Sequence, residues 1–457
     1  MASSFEPYLQ QVQAILRASD RWRAEYGPVP DTAIPLDSEK MQAVLSGLEE
    51  RLRGNYPFHH PQYAGQMLKP PHPIAWAAYI VAMAINPNNH ALDGGPPTSA
   101  MEKEVIGRLA EMVGFGPGAL GHLTSGGTIA NLEALFVARE SHPGKAIAAS
   151  SNAHYTHRRM SHLLNVPFIE IPAASGGWDM DALNEQAEAI GTLVVTLGTT
   201  GLGTVEPLAD LVAWAREQGI RIHVDAAYGG FFKLIADRLP HARHWHAMAE
   251  ADSVVIDPHK HGLQPYGCGA VLFRDASVGR FYQHDSPYTY FTSDELHLGE
   301  ISLECSRAGA SAAALWATLQ LLPLTPDGLG AYLQQTVDAA ADLHTRLSES
   351  PQFDVIHPPE LDILAYFPVP DQPTTSAVSR LSRALFQSGM EDREGGFHLS
   401  LYTMSSDDFT GLVGEYEADT DRVTLLRSVL MKPEHKPFVP ELVKRLHTHL
   451  DTIVSDS

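Results

Sequence analysis

Five short segments hold residues whose types and spacing could do chemistry, and four of them follow or close a run of apolar residues. Ile256-Asp-Pro-His-Lys-His-Gly262 places Lys260 at the end of a β-like run. A lysine there is either a solvated point charge or an amine in an apolar pocket, with a pKa low enough to form a Schiff base. Ile222-His-Val-Asp-Ala-Ala-Tyr228 ends another run at Asp225. That carboxylate can cap the next helix or pair with a ring nitrogen of a bound cofactor. Leu123-Thr-Ser-Gly-Gly-Thr-Ile-Ala-Asn131 opens into the helical stretch Leu132-Glu-Ala-Leu-Phe-Val-Ala138. Glycines and hydroxyls at a helix start offer an anion free N–H groups and the positive end of the helix, although many such turns are plain caps. Ser151-Asn-Ala-His-Tyr155 puts His154 just past a strand, where a flat ring can pack structurally or stack on a flat cofactor. Thr196-Leu-Gly-Thr-Thr-Gly201 adds a hydroxyl pair after a further strand. The three spaced glycines of a dinucleotide site are absent, as is a lysine directly after the glycines of a phosphate loop.

These groups need a scaffold that brings strand ends together. Between about residues 74 and 322, β-rich runs alternate with helical stretches: Ala146-Ile-Ala-Ala149, Phe168-Ile-Glu-Ile171, Leu193-Val-Val-Thr-Leu197, Ile220-Arg-Ile-His-Val224, Ser253-Val-Val-Ile256 and Ala270-Val-Leu-Phe273. The helical stretch from Leu208 to Gln218 closes at Gly219, a C-cap signal. Apolar strands separated by helices predict a mainly parallel, doubly wound α/β sheet with ligands at the strands' carboxyl ends. The chain divides into an N-terminal helical arm (1–73), a large α/β unit (74–325) and a smaller C-terminal α+β unit (326–457). In the last, a long helix over about Leu329 to Leu347 precedes strand-like Ile363-Leu-Ala-Tyr-Phe367 and Val423-Thr-Leu-Leu-Arg-Ser-Val-Leu430 and a final helix near Val439 to Val454.

Composition narrows the function. Of 457 residues, 44% are apolar and 19% charged, which suits a packed core. The 54 acidic residues outnumber the 32 basic ones, and a net charge of -22 repels phosphate backbones and anionic membranes. Neither nucleic acid nor membrane is an expected partner. The longest apolar run, Ile74-Ala-Trp-Ala-Ala-Tyr-Ile-Val-Ala-Met-Ala-Ile85, is shorter than the roughly 18 residues that span a bilayer, and reads as a buried helix. Two cysteines, Cys268 and Cys305, cannot frame a disulfide fold, and the start lacks a basic-then-apolar leader, so a cytoplasmic protein is expected. His241, His244 and His246 have a spacing conceivable for zinc but no completing carboxylate or cysteine within the cluster, so no metal is expected.

Taken together, a phosphate cradle, a flat ring, hydroxyls, a carboxylate and a lysine are the equipment for holding pyridoxal phosphate. With Asp-Pro-His-Lys, Val-Asp-Ala-Ala, Thr-Ser-Gly-Gly-Thr and Ala-His-Tyr in order, the chain from about residue 57 to 435 resembles the group II pyridoxal-phosphate-dependent decarboxylases. These include aromatic amino acid, glutamate and archaeal-type tyrosine/aspartate decarboxylases. The resemblance implies fold type I, with a mainly parallel seven-stranded sheet, and a homodimer whose active sites are shared at the interface. It implies Lys260 as the residue that carries the cofactor and Asp225 as the partner of the pyridine nitrogen. Ala227 and His154 would lie against the ring, and Gly126, Gly127 and Thr128 would hold the phosphate with His259 nearby. Thr200 would touch cofactor or substrate. Arg427 would hold the substrate carboxylate or the loop beside the ring, and Lys69 would favour an acidic substrate side chain.

The implied reaction is α-decarboxylation of an L-amino acid to its amine and CO2. One departure bears on it. The aromatic branch carries a protonating tyrosine on a loop after its Ser-Arg-X-Gly segment; here Ser306-Arg-Ala-Gly309 is followed by Leu321-Leu-Pro-Leu-Thr-Pro-Asp-Gly328, without one. The proton then falls to Tyr288, Tyr290 or His154. The loss also leaves open oxidative deamination to an aldehyde. A carbon–carbon lyase and a silent cofactor-binding protein are further alternatives. The first needs a basic phosphate subsite that the sequence does not display; the second would forfeit Lys260 or Asp225, and both are present.

Overall fold

A computed structural model of the chain describes residues 6–28, 30, 37–174, 177–282 and 302–455. Its centre is a seven-stranded sheet: β1 (Leu120–Thr124), β2 (Ala146–Ser150), β3 (Phe168–Ile171), β4 (Ile190–Thr196), β5 (Arg221–Asp225), β6 (Ser253–Ile256) and β7 (Gly269–Phe273). The spatial order is β1-β7-β6-β5-β4-β2-β3. Neighbours from β3 to β6 pair in parallel. β7 runs antiparallel to both β6 and β1. β1 therefore points the same way as the parallel five, and the carboxyl ends of β1, β2, β4, β5 and β6 share one edge.

The central strands are legible because they are buried on both faces. β2, β4 and β6 are buried at every position, so selection for apolar residues is nearly continuous. Helices Pro96–Val113, Gly127–Ser141 and Leu208–Gln218 pack against the sheet. The last ends at Gly219, as its C-cap glycine predicts. β1 was not among the runs read as strands. It is an edge strand, Leu-Gly-His-Leu-Thr, whose His122 is buried 2.8 Å from Glu133, and a polar residue paired inside the fold hides the apolar signature.

A second, four-stranded antiparallel sheet joins Phe353–Val355, Ile363–Pro368, Arg422–Val429 and Ser400–Ser405, in that order. Helices Leu329–Ser348 and Thr375–Glu391 cover it, and His435–Ser455 packs across both of them. The short strand Phe353–Val355 and the polar-rich Ser400–Ser405 gave no run strong enough to read in the sequence. Near the N-terminus lie helices Glu6–Ala24 and Ser38–Leu52. The apolar run from Ile74 is a helix, Pro73–Met83, but only Ala75 and Ala82 in it are buried, which corrects the expectation of a buried helix. No helix among the described residues is long and apolar enough to cross a membrane.

Candidate active site

The shared edge of carboxyl ends encloses a cavity of about 400 Å³. Ser125, Gly126, Gly127 and Thr128 reach it from the end of β1, and His154 follows β2. Thr196 and Thr200 come from β4, Asp225 and Ala227 from β5, and Asp257, His259 and Lys260 from β6. Nine predicted residues are thus brought together. Arg427 and Lys69 are not in the lining, and Tyr288 and Tyr290 lie outside the described residues.

At the end of β1 the chain turns at Gly126, with φ +153°, and enters the helix Gly127–Ser141. The first N–H groups of a helix have no intrahelical acceptor, so Gly127 and Thr128 present donors at its positive end. A Cβ on Gly127 would fall 2.6 Å from Asp257 Oδ2, which leaves glycine as the residue that fits.

Asp225 is 5% exposed and held from three sides. His157 Nε2 lies 2.8 Å from Oδ2, the Ala227 N–H donates to Oδ1 at 3.1 Å, and Asn131 Nδ2 approaches Oδ2 at 3.4 Å. Burial alone would raise its pKa. The hydrogen bond and charge of His157, the charge of Lys260 and the Ala227 N–H outweigh that and keep the carboxyl well below the usual range. A second layer fixes Asn131: its Oδ1 meets His223 Nε2 at 2.8 Å, while His223 Nδ1 meets Ser253 Oγ at 2.9 Å. Burial pushes the His223 pKa down to about 3, so this ring is a neutral strut.

Lys260 Nζ lies 3.3 Å from Asp257 Oδ2. His154 Nδ1 meets Thr156 Oγ1 at 2.7 Å and accepts the Thr156 N–H at 3.3 Å. Because Nδ1 accepts the Thr156 N–H, the neutral tautomer has its proton on Nε2, and burial lowers the ring's pKa. The sequence alone assigns no role to His157, Asn131 or Asp257. His157 lies in the first turn of the helix Thr156–Leu163, while His154 lies before its N-cap, so no helical spacing singles His157 out.

Three polar atoms at the cavity are buried with no hydrogen-bond partner among the described residues: Thr196 Oγ1, Asp257 Oδ1 and His259 Nδ1. Buried polar atoms are seldom left so. A ring-and-phosphate ligand fits the set. The helix start suits its anion, and the ionised Asp225 suits a protonated ring nitrogen.

Arg427 and Lys69 are otherwise engaged. Arg427 donates to the carbonyls of Thr200 (2.7 Å) and Gly201 (2.8 Å) and to Ser400 Oγ (3.1 Å). It therefore clamps the loop after β4. Lys69, also buried, donates to the Met431 carbonyl at 3.0 Å, away from the cavity lining. The histidine cluster disperses: His244 accepts from the Ala209 N–H, while His246 sits between Lys233 and Asp237.

Residues 25–367 match the family model described as the pyridoxal-dependent decarboxylase conserved domain. The chain is 29% identical to a probable L-tyrosine/L-aspartate decarboxylase of Methanopyrus kandleri, over 70% of this chain and 85% of that one. It is 26% identical to an L-tyrosine decarboxylase of Enterococcus faecium, over 95% and 94%. Among solved structures, mouse CSAD shares the fold with a TM-score of 0.78 at 20% identity, covering 97% of this chain and 98% of that one. With the family model matched over most of its length, the chain belongs to the pyridoxal-dependent decarboxylases, carboxy-lyases that use pyridoxal phosphate to decarboxylate amino acids.

Proposed function

We propose that this chain converts an L-amino acid to its amine and CO2 at the cavity on the sheet's carboxyl edge. The observation that carries this reading is the convergence of Lys260, Asp225, His154 and the Gly126–Thr128 helix start on one cavity. Lys260 would carry the cofactor. Gly126, Gly127 and Thr128 would hold its phosphate, with His259 beside them, and Ala227 and His154 would lie against the ring. When bound, pyridoxal phosphate supplies an electron sink for the pair released as the carboxylate leaves the α-carbon. Asp225, kept ionised by His157, would hold the ring nitrogen protonated. The proton returned to the α-carbon would come from His154 in its protonated, imidazolium form, or from Tyr288 or Tyr290. Thr200 would meet the substrate side, with its loop held by Arg427.

Helix Ser38–Leu52 has no buried residue and exposes Met41, Val44, Leu45, Leu48 and Leu52 along one stripe. Such a stripe needs cover, and a second copy of the chain would supply it as a homodimer.

The test is a product assay. The purified, cofactor-loaded protein is offered each common L-amino acid in air, beginning with tyrosine and aspartate, after which relatives are named. Products are identified by mass. An amine without peroxide is the expected result. An aldehyde with ammonia and peroxide would support the second reading, oxidative deamination, which the tyrosine-free turn at 322–328 favours. Consumption of none of them would overturn both.

A further inference from the structure

Outside the cavity, Asp362 stands just before the strand Ile363–Pro368 of the C-terminal sheet. It is completely buried. The Tyr228 hydroxyl donates to its Oδ1 at 2.5 Å. His261 Nε2 lies 3.2 Å from its Oδ2, and burial lowers the pKa of that ring. The His261 ring is wedged between Tyr228 and Phe232, with centroids 4.8 and 4.7 Å away. Burial raises the Asp362 pKa, but His261, the Tyr228 hydroxyl and the charge of Lys69 more than offset it, so the group is an anion.

Both partners adjoin the site in sequence. Tyr228 stands three residues after Asp225 and lines the cavity, while its hydroxyl is tied to Asp362. His261 is the residue directly after Lys260. One carboxylate of the C-terminal sheet therefore grips the two segments that present Asp225 and Lys260.

We propose that Asp362 is a positioning residue: through Tyr228 and His261 it transmits the seating of the C-terminal sheet to the geometry of Lys260 and the cavity wall. The proposal rests on the reading of Lys260 as the cofactor-carrying residue. It is not an acid or base in the reaction, since its two oxygens face Tyr228 and His261. Its loss acts on alignment, to which rates are steeply sensitive.

The experiment compares holoenzyme of the native sequence, Asp362→Asn and Tyr228→Phe. First, borohydride reduction and peptide mass locate the cofactor; a label elsewhere than Lys260 would fail the site reading itself. With the label on Lys260, four quantities are measured: kcat, KM, the visible circular dichroism of the bound cofactor, and the melting temperature. Asp362→Asn keeps an acceptor for the Tyr228 hydroxyl and removes the charge at His261; Tyr228→Phe removes the hydroxyl and leaves the charge. The expected result for each is a kcat lowered about tenfold or more, with KM little changed and the visible dichroism weakened. If Asp362→Asn does not fold, Tyr228→Phe alone decides. Unchanged kcat and dichroism in a folded variant would overturn the proposal. So would a loss of activity that follows melting alone and vanishes at lower temperature.

Discussion

The cavity on the sheet's carboxyl edge and the seam where residues 58–72 meet the C-terminal sheet both bury polar and charged groups, in opposite ways. In the cavity, Thr196 Oγ1, Asp257 Oδ1 and His259 Nδ1 have no protein partner among the described residues. In the seam, Lys69 donates to Met431, while Lys432 donates to the carbonyls of Phe58, His60 and Tyr63. Arg427 divides its donors among Thr200, Gly201 and Ser400. A buried polar group is costly unless it is paired, so the unpaired atoms that line the cavity leave donors and acceptors for a ligand, while the three seam cations are already engaged structurally. Residue type does not separate the two regions, since both contain lysine. The partners do.

The largest effect that could break this distinction belongs to Lys260. Lys260→Ala should abolish decarboxylation while leaving the melting temperature essentially unchanged. Turnover retained in the product assay would sink the assignment. Next is Gly127→Ala. Its new Cβ would lie 2.6 Å from Asp257 Oδ2 and force the cradle to shift. Cofactor affinity, titrated by absorbance on apo-protein, should weaken about tenfold, equivalent to ~1.4 kcal/mol. An unchanged affinity would show that the cradle is not where the anion binds. In the seam the expectation reverses. Lys69→Met should leave the ranking of substrates unaltered but lower unfolding free energy by roughly 1–3 kcal/mol, because the Met431 carbonyl loses its buried donor. A changed ranking with unchanged stability would return Lys69 to the substrate pocket.

The contrast also explains what could be read before the structure. Strand ends rich in Gly, Asp, His and Lys are local signals, and chain connectivity alone places them at one edge of a parallel sheet. Hence Lys260, Asp225, His154 and the glycine pair meet where expected. Arg427 and Lys69 depended on which carbonyl each would find hundreds of residues away, and no local pattern encodes that. Asp362 is the same case: its partners Tyr228 and His261 are more than 100 residues earlier in the chain. Strands were legible where both faces are covered, as in β4. They were hidden where a paired polar residue replaces an apolar one, as at His122 in β1.

The last expected effect, confined to a pH window, sharpens the comparison with a third kind of buried ionisable group. Glu206 is buried and, among the described residues, in no ion pair: the Thr196 N–H reaches its Oε2 at 2.6 Å and the Ser150 hydroxyl its Oε1. Burial pushes its pKa from 4.5 up to about 7, against the pull of those hydrogen bonds. The folded chain therefore keeps a proton on Glu206 through a window, between the two values, in which the unfolded chain has released it. Stability from this group is fully present below the lower value and is lost as pH rises through the upper one, a change on the order of 3 kcal/mol. Glu206→Gln cannot titrate and still offers an acceptor to Thr196 and a donor to Ser150. Urea unfolding of both proteins at several pH values across that window should give a falling stability difference, native minus variant, as pH rises. A flat difference would mean that the two donors suffice to hold a carboxylate, and that a buried acid here needs no cation to stay ionised.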